Sequence, residues 1–571
     1  MNCKQIVLPV VGWVAVCALG VMWAAEPSDA LTPTTEATSA ASVRQPGGIV
    51  LQADSHAEGK PLVHFWSTCV GAGRANEGLR ASWLEQLKTV SDACGFRYVR
   101  FHGLFHDDMF VYREGGGKPV YNWQYVDDLL DRLLAMNVRP FVELGFMPQS
   151  MASGTRTTFW WKGNTSPPKN NAQWADMVDE FVKHCIARYG KDEVLKWYFE
   201  VWNEPDLQGF WDGTKSQYFE FYKATVQAIK AIDPHLRVGG PATSNYVADG
   251  RFDGEREKRS QWTELNNPEQ SESLNWRPVW VEQFIEYCHQ NKLPIDFIST
   301  HPYPTDFALD PGGKGHGLTR HVDATPNDIR LLRKIIDASP YPKAEIHLTE
   351  WSSSPSSRDF THDCLPAAAF VVKTNIESAG LVDSLSYWTF TDVFEEKGAG
   401  DSIFHGGFGM INFQGVVKPT FHAYRFLHAL GDEIVSATVG GIVTREKKTG
   451  RLIALAYHYP YEVKISLSNA GSLASAEKMM HTGSRIPLNI TLIGLPARVS
   501  VLVETLDSTH GNAVAAWEAM GKPSTPTREQ TYALSKAALA TKKEVVKADE
   551  SGRLTLQREM EPWSLVLVEQ Q

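Results

Sequence analysis

Two glutamates stand out in the sequence because each directly follows an apolar run of the kind that forms a buried strand. Glu204 ends the run Trp-Tyr-Phe-Glu-Val-Trp-Asn-Glu at 197–204, and Glu350 ends the run Glu-Ile-His-Leu-Thr-Glu at 345–350. Cleavage of a glycosidic bond requires a carboxylic acid that protonates the leaving oxygen and a carboxylate that attacks or stabilises the oxocarbenium-like centre. The two glutamates have the chemistry for both tasks if the fold brings them together.

The two carboxyl groups are expected to differ in protonation. Trp202 and nearby aromatic residues should remove water from Glu204, and a neighbouring carboxylate should discourage its ionisation, so we expect its pKa to be raised. Glu350 should stay ionised. We therefore predict Glu204 as general acid/base and Glu350 as nucleophile, because loss of the charge on Glu350 in a glycosyl-enzyme would let Glu204 deprotonate water.

The elements that must position these residues alternate between short apolar runs and longer segments of helical spacing from about residue 48 to 430. This alternation indicates βαβ units with a parallel sheet, and eight strands match an α/β fold of the (β/α)8 TIM barrel type. The predicted strands are 62–66, 97–102, 139–144, 198–202, 236–239, 296–300, 345–349 and 384–390. The predicted helices are 83–94, 126–136, 174–189, 218–232, 279–291, 327–338 and 367–378.

The barrel interpretation places the two glutamates on the same rim. Glu204 would follow strand four and Glu350 would end strand seven. Active sites of such barrels are built at the carboxyl ends of the strands. The side chains can therefore face each other across the mouth of the barrel.

Other rim residues are candidates for binding a sugar. Asn203 could donate a hydrogen bond to the 2-hydroxyl group, with a simple turn residue as the alternative. Trp388, at the end of strand eight, could stack its indole on a sugar ring or pack in the core. His102 and Glu396 could reach polar hydroxyl groups.

The end of strand six contributes two further candidates, His301 and Tyr303. Either side chain could orient Glu350 or bind a sugar hydroxyl, and packing of the loop is the alternative.

Several motifs together resemble glycoside hydrolase family 39, in clan A of the retaining glycosidases. They are 199–205 with Phe210 and Trp211, 348–351, 100–104 with Asp107 and Asp108, 301–304, 387–396 and 405–409. The resemblance covers about residues 60–430 and returns at 510–512 and 517–523. It implies a TIM barrel enzyme that retains anomeric configuration, as the β-xylosidases and α-L-iduronidases of this family do.

The substrate is less well defined by the sequence. Glu395 and Glu396 would repel a uronic acid and suit hydroxyl groups, so we expect a β-xyloside or similar neutral glycoside of plant-type polysaccharides. An α-L-iduronidase, an arabinosidase or a glucosidase of the same family is the alternative. A long charged insertion at 249–276 follows strand five and could narrow the pocket.

The C-terminal part, 431–571, is predicted as a β-sandwich because helical spacing fades and β-rich runs follow. The predicted strands are 441–444, 452–457, 463–467, 498–504 and 563–568, with a helical insertion within 511–547 that includes 513–520. The segment 48–58 is assigned to the barrel part, but its start, 48–53, could add a strand to the sandwich.

The pattern of the N-terminal part predicts an export signal followed by a flexible linker. Residues 1–25 have Lys4, an apolar run at 6–21 and small residues before Glu26, as a signal peptide does. Residues 26–47 are rich in Ser, Thr, Ala and Pro, which is typical of a flexible linker. We expect a secreted or periplasmic protein without stable membrane insertion, with an uncleaved membrane anchor as the alternative.

Charge and cysteine content limit the partners. The net charge of -10 disfavours nucleic acid as a partner. No His-x-His or His-Glu-x-x-His cluster occurs, so we expect neither a metal nor a cofactor. Five cysteines follow the signal segment, an odd number, so at least one should lack a disulfide within the chain.

Three further hypotheses about mechanism, function and assembly are compatible with the sequence. An inverting hydrolase would separate the carboxyl groups by roughly 6.5–9.5 Å instead of about 5–5.5 Å. A carbohydrate-binding protein without activity is an alternative of another class. The chain could also form a homo-oligomer.

Overall fold

The computed structural model describes residues 47–263, 268–309, 315–467 and 470–571. Its centre is a closed barrel of eight parallel strands, in which each strand pairs with the next one along the chain and the last pairs with the first. The strands, one to eight, are Cys69–Arg74, Tyr98–His102, Arg139–Leu144, Tyr198–Val201, Arg237–Thr243, Phe297–Thr300, Glu345–Trp351 and Ser384–Tyr387. The predicted TIM barrel is confirmed.

One α-helix follows each strand and covers the outside of the barrel. The helices are Ala81–Cys94, Gln124–Ala135, Asn171–Tyr189, Lys215–Ile232, Val281–Gln290, Ala324–Asp337, Leu365–Glu377 and Pro419–Ala429, with a short helix Lys191–Val194 after the third. The first seven match the predicted helices, and the eighth was not predicted. Polar side chains cap several starts, as Thr214 does by accepting a hydrogen bond from the backbone of Gln217.

The predicted first strand, 62–66, is wrong. Phe65–Ser67 form a 3-10 turn, and the first barrel strand is Cys69–Arg74. Leu62, Phe65 and Trp66, which suggested a strand, are buried in the core just before it, whereas Val63 is exposed. The true strand contains small residues because its neighbours come close: a Cβ atom on Gly71 would lie 2.4 Å from Trp388. Hydrophobicity alone therefore pointed to the wrong segment.

Short antiparallel strand pairs enlarge the loops at the carboxyl ends of the strands. They pair Tyr112–Gly115 with Lys118–Tyr121, Thr157–Thr158 with Gly163–Asn164, Tyr246–Val247 with Arg277–Pro278, and Thr305–Leu309 with Gly315–Thr319. These loops build the walls of the barrel mouth, where active sites of this fold occur.

Two further sheets form the accessory β-sandwich around a separate apolar core, which includes Leu51, Val443, Ala454 and Ile490. One sheet has the order Lys60–Pro61, Glu433–Thr438, Gly441–Arg445, Leu452–Tyr457, Leu565–Gln570, Ser500–Leu506, Lys542–Lys547. The other has the order Ile49–Asp54, Ile486–Ile493, Leu554–Met560. Helices Leu473–Met480, Ala513–Ala519 and Arg528–Leu539 interrupt the strands. The segment before the barrel thus pairs with strands that follow it.

Some sandwich predictions need correction. The segment 463–467 is not a strand, because Ile465 forms only an isolated bridge to His321 of the barrel. Two predicted strands start two residues late in the structure, since Arg498 and Trp563 have positive φ angles that an extended strand does not allow.

The cysteines of the described residues lie in the core as free thiols. Cys69, Cys94, Cys185, Cys288 and Cys364 are all buried and form no disulfide bond. Within the described ranges, no helix combines the length and apolar character that crossing a bilayer requires. The predicted signal peptide and nearly all of the predicted linker lie outside the described residues.

Candidate active site

Glu204 and Glu350 meet across the barrel mouth, as predicted from their places after strands four and seven. One carboxyl oxygen of each, together with one ring nitrogen of His301, lie within 4.8 Å of one another. This separation is close to the roughly 5–5.5 Å of retaining glycosidases and shorter than the roughly 6.5–9.5 Å of inverting ones.

The backbone after strand four turns Glu204 towards the barrel axis. Trp202 and Glu204 have positive φ angles of 75° and 46°, which end the strand and change the direction of the side chains. The backbone N–H of Glu204 donates to the carbonyl of Ala242 on strand five at 2.9 Å. The carboxyl group is thereby attached to two neighbouring strands.

The environment of Glu204 favours its protonated form. Burial raises the pKa of Glu204 well above its usual value, and the negative charges of Glu350 and Asp206 add to this effect. His301 Nδ1 lies 3.0 Å from Glu204 Oε1. Burial lowers the pKa of His301 well below its usual value, with help from Arg100, so the ring is neutral.

Glu350 is the carboxylate of the pair that is held by donors. Arg100 Nη1 donates to Glu350 Oε1 at 2.8 Å, and the Tyr303 hydroxyl donates to Oε2 at 3.2 Å. Burial raises the pKa of Glu350, but Arg100 and His102 counteract this rise. These surroundings favour the proton on Glu204 and the charge on Glu350, and the roles of the two residues in catalysis stay a prediction.

Arg100, on strand two, organises the floor of the site. Its guanidinium is fully buried and donates to Glu200 Oε2 at 2.6 Å and to Asn203 Oδ1 at 2.8 Å, besides Glu350. Glu143 Oε2 lies 3.0 Å from Arg100 Nη2. Because the Asn203 oxygen is occupied in this way, its amide nitrogen is the group left to donate to a substrate hydroxyl.

A pocket opens above the two glutamates. It is lined by His102, Phe159, Asn203, Glu204, Leu207, Phe210, Ser244, Asn245, Tyr303, Glu350, Pro355, Trp388, Glu396 and Phe408. The predicted residues His102, Asn203, Tyr303, Trp388 and Glu396 are thus all in its wall. His301 is not part of the lining, and its ring contacts Glu204 instead.

His102 and Glu396 lie on the same side of the pocket. His102 Nδ1 bonds to Glu143 Oε2 at 2.5 Å, and His102 Nε2 lies 3.6 Å from Glu350 and 3.8 Å from Glu396. Burial and the charge of Glu350 raise the pKa of Glu396 well above its usual value. The Trp388 ring packs at 4.8 Å from the ring of His102.

Three expectations about the surroundings need correction. Trp202 does not line the pocket: it packs against Trp174 and Phe221 in the helix layer. Glu395 turns away from the pocket because it pairs with Arg74 and Arg80. The described residues of the 249–276 insertion contribute nothing to the pocket lining, which ends at Asn245 on that side.

Sequence reasoning missed the polar layer beneath the pocket, formed by Arg100, Glu143, Glu200 and Thr349. A usable signal existed, because alternate residues of a barrel strand point inward and a charge in a buried strand is rare unless it is paired. Glu200 in Tyr-Phe-Glu-Val is such a residue. The loop residues Phe159, Pro355 and Phe408 carry no periodic pattern that could have placed them.

Glu204, His301 and Glu350 are also a group of described residues whose ligand atoms lie close enough to hold a metal ion. Both ring nitrogens of His301 are already hydrogen bonded, to Glu204 at 3.0 Å and to Thr349 at 2.9 Å. A metal ion would have to displace these bonds.

Comparison with known proteins defines the family. The family model for glycosyl hydrolases family 39 matches residues 49–254 and 268–555, which is most of the chain. The chain belongs to glycosyl hydrolase family 39. It is an O-glycosyl hydrolase of a family that retains anomeric configuration.

Relatives in this family are similar over most of their length. A β-xylosidase of Geobacillus stearothermophilus is 36% identical over 481 residues, 83% of this chain and 86% of that protein. The crystal structure of a monomeric β-xylosidase from Caulobacter crescentus has 35% identity and a TM-score of 0.78, covering 91% of this chain and 99% of the other. The family 39 enzyme of Xanthomonas axonopodis pv. citri has 34% identity and a TM-score of 0.78, covering 92% and 97%.

Proposed function

We propose that this family 39 hydrolase is a β-xylosidase in which Glu204 is the general acid/base and Glu350 the nucleophile. The observation that carries the proposal is the pair itself, a buried carboxyl group and a donor-held carboxylate with oxygens within 4.8 Å at the floor of one pocket. The similar proteins from Geobacillus stearothermophilus and Caulobacter crescentus are named β-xylosidases, which supports the choice of sugar.

In the first step, Glu204 donates its proton to the glycosidic oxygen while an oxygen of Glu350 attacks the anomeric carbon. The bond to the leaving group breaks as the bond to Glu350 forms, with inversion at the anomeric carbon. The amide nitrogen of Asn203 is placed to donate to the 2-hydroxyl group, a contact that strengthens in the transition state.

In the second step, Glu204 is ionised and takes a proton from water, and the water oxygen attacks the anomeric carbon. Glu350 departs as a carboxylate, and the second inversion restores the original configuration. Arg100 and Tyr303, which donate to the two oxygens of Glu350, stabilise the charge that returns to it.

A neutral sugar fits the charges of the pocket better than a uronic acid. The described residues that line the pocket include no Lys or Arg, and they include the carboxyl groups of Glu204, Glu350 and Glu396. Arg100 lies beneath the floor, where its donors are already used. An iduronide carboxylate would therefore enter this pocket without a cation to pair with it.

Two variants test the assigned roles. Glu350→Ala should abolish turnover of every glycoside, since no covalent intermediate can form. Glu204→Ala should lose roughly 10²–10⁴-fold in kcat/KM on xylobiose, yet keep its first step on 2,4-dinitrophenyl β-xyloside, whose leaving group needs no proton. Near-normal turnover of xylobiose by either variant would contradict the assignment. Glu345→Gln, at the opposite end of strand seven, is the matched control and should retain activity.

The choice of sugar is tested separately with chromogenic glycosides. We expect the highest kcat/KM for β-xyloside among β-xyloside, α-L-arabinoside, β-glucoside and α-L-iduronide. A higher value for the iduronide would overturn the sugar assignment while leaving the roles of the two glutamates in place.

We also propose that the chain is exported and that its leader is removed near residue 25. The support is the sequence alone: Lys4, the apolar run 6–21, and Ala24 and Ala25 before Glu26. N-terminal sequencing of the mature protein should begin near residue 26. A full-length chain that remains with membranes after alkaline washing would favour the anchor instead.

A further inference from the structure

A chain of three hydrogen bonds runs beneath the pocket and ends on Glu204. Thr349 Oγ1 lies 2.7 Å from Glu200 Oε1, His301 Nε2 lies 2.9 Å from Thr349 Oγ1, and His301 Nδ1 lies 3.0 Å from Glu204 Oε1. All four side chains are buried, so water does not compete for these bonds. The chain connects strands four, six and seven of the barrel.

The direction of each bond follows from the number of protons available. Glu200 Oε2 accepts a hydrogen bond from the guanidinium of Arg100 at 2.6 Å, and a carboxylate paired with arginine only accepts hydrogen bonds. Thr349 has one hydroxyl proton and must donate it to Glu200. Its oxygen can then only accept from His301, which places the proton of the ring on Nε2.

The tautomer of His301 determines whether Glu204 donates or accepts the hydrogen bond between them. A neutral ring with its proton on Nε2 has only a lone pair on Nδ1, so the 3.0 Å contact needs a proton from Glu204. We propose that Thr349 is a positioning residue that acts through His301: it fixes the ring tautomer, so that Glu204 is held as a proton donor.

This inference rests on the proposed role of Glu204. It adds a reason why ionised Glu204 takes up a proton again in the second step. When Glu204 has given its proton to the leaving group, the lone pair of His301 faces a carboxylate and cannot donate to it. The ionised form thus lacks a hydrogen bond that the protonated form has, which favours abstraction of a proton from water in the second step. This series of hydrogen bonds therefore assists both half-reactions.

Other charged groups also affect where the proton lies between Glu204 and His301. The charged and titratable groups that face Glu204 or His301 are Arg100, His102, Asp206, Tyr303, Glu350 and Glu396. None of them contacts His301 Nε2, which faces Thr349. Removing the Thr349 hydroxyl therefore changes the tautomer preference without removing any of these charges.

The direct test is neutron diffraction of deuterated crystals of the wild type, Thr349→Val and Thr349→Ser. In the wild type and in Thr349→Ser, deuterium should be found on His301 Nε2 and on Glu204. In Thr349→Val, Nε2 has no acceptor, and deuterium should move to Nδ1 and be absent from Glu204. Deuterium on Nδ1 in the wild type, or an unchanged ring in Thr349→Val, would overturn the proposal.

The kinetic test uses the pH profile of kcat/KM on xylobiose. With a donor on Nδ1, the carboxylate form of Glu204 is stabilised, so the alkaline limb of Thr349→Val should move to lower pH. At pH 8 this variant should lose about tenfold or more on xylobiose, within the range of general acid catalysis. Thr349→Ser should restore the wild-type limb.

Turnover of 2,4-dinitrophenyl β-xyloside separates this proposal from the assignment of Glu204. Its first step needs no acid, so Thr349→Val should glycosylate at a near-normal rate. An equal loss on both substrates would mean that Thr349 only supports the position of Glu350, and would overturn the inference. A wild type that follows the neutron pattern but whose Glu204→Ala variant cleaves xylobiose would refute the proposed function instead.

Discussion

Replacement of Arg100 is the perturbation with the largest expected effect, because this one cation serves several carboxylates. Its guanidinium is fully buried and donates at 2.6 Å to Glu200 and at 2.8 Å to Glu350, and Glu143 lies 3.0 Å away. Arg100→Met keeps an apolar chain that reaches into the same space but removes the charge and all of its hydrogen bonds.

The magnitude follows from the burial of the partners. Removing one member of a buried ion pair typically costs about 3–5 kcal/mol, since the remaining charge is left without compensation. Three carboxylates share Arg100, so we expect a loss of unfolding free energy at the upper end of this range at pH 8. Arg100→Lys keeps the charge but loses the planar fork, and at least one hydrogen bond to a charged group, worth about 1.5–3 kcal/mol.

The loss should depend on pH in a defined direction. Arg100 counteracts the rise that burial causes in the pKa of Glu350, so without the cation folding raises this pKa further above that of the unfolded chain. A group with a raised folded-state pKa stabilises the fold below its unfolded pKa, and this contribution is lost as the pH rises. The deficit of Arg100→Met should therefore be largest at pH 8 and smaller at pH 5.

The assay is urea denaturation at both pH values, combined with kcat/KM on an aryl β-xyloside. Arg320→Met is the control, because Arg320 is also fully buried and pairs with Asp328 at 2.7 and 3.0 Å outside the pocket. Both variants should lose stability, but only Arg100→Met should lose activity. A stability loss of Arg100→Met that is absent, or equal at the two pH values, would refute the reasoning.

Two further changes test single contacts of the site. Asp206→Asn removes a negative charge that raises the pKa of Glu204, so the alkaline limb of the kcat/KM profile should move to lower pH. Burial raises the pKa of Asp206 to about 6, so Asp206 is mostly neutral below that pH. The kcat/KM values of variant and wild type should therefore converge there. An unchanged limb would show that Asp206 only holds Ser244, from which it accepts two hydrogen bonds. Tyr303→Phe removes the 3.2 Å bond to Glu350, and kcat should fall about tenfold with a larger burst of aglycone release, since loss of a hydrogen bond to a charged group costs about 1.5 kcal/mol or more. Equal kcat values would mean that this donor does not stabilise the departing carboxylate.

The barrel strands show where sequence patterns succeed and fail. Strands such as Tyr198–Val201 and Glu345–Trp351 could be predicted because they are rich in aromatic, branched and other apolar residues. The first strand, Cys69–Arg74, could not, because its small residues are selected by close neighbours such as Trp388 and not by hydrophobicity. The apolar run before it is largely buried but is not a strand.

The sandwich shows a second limit. Ile49–Asp54 pairs in parallel with Ile486–Ile493, more than 430 residues away along the chain. Period-two patterning indicates that a segment is a strand, but it does not state its partner, because any strand with one apolar face offers the same backbone groups. The sheet order became known only from the structure.

The sequence was enough to identify the two carboxyl groups of the site, because each lies near the end of a predicted strand and barrel geometry brings such ends to one rim. It also determined five of the residues that line the pocket wall.

The sequence predicts the proton on Glu204, but the contacts that favour it there are visible only in the folded protein. Arg100 contacts Glu350 from 250 residues away along the chain, His301 contacts Glu204, and Thr349 contacts His301. Protonation is set by burial and by the direction of hydrogen bonds, and neither is encoded by spacing along one strand.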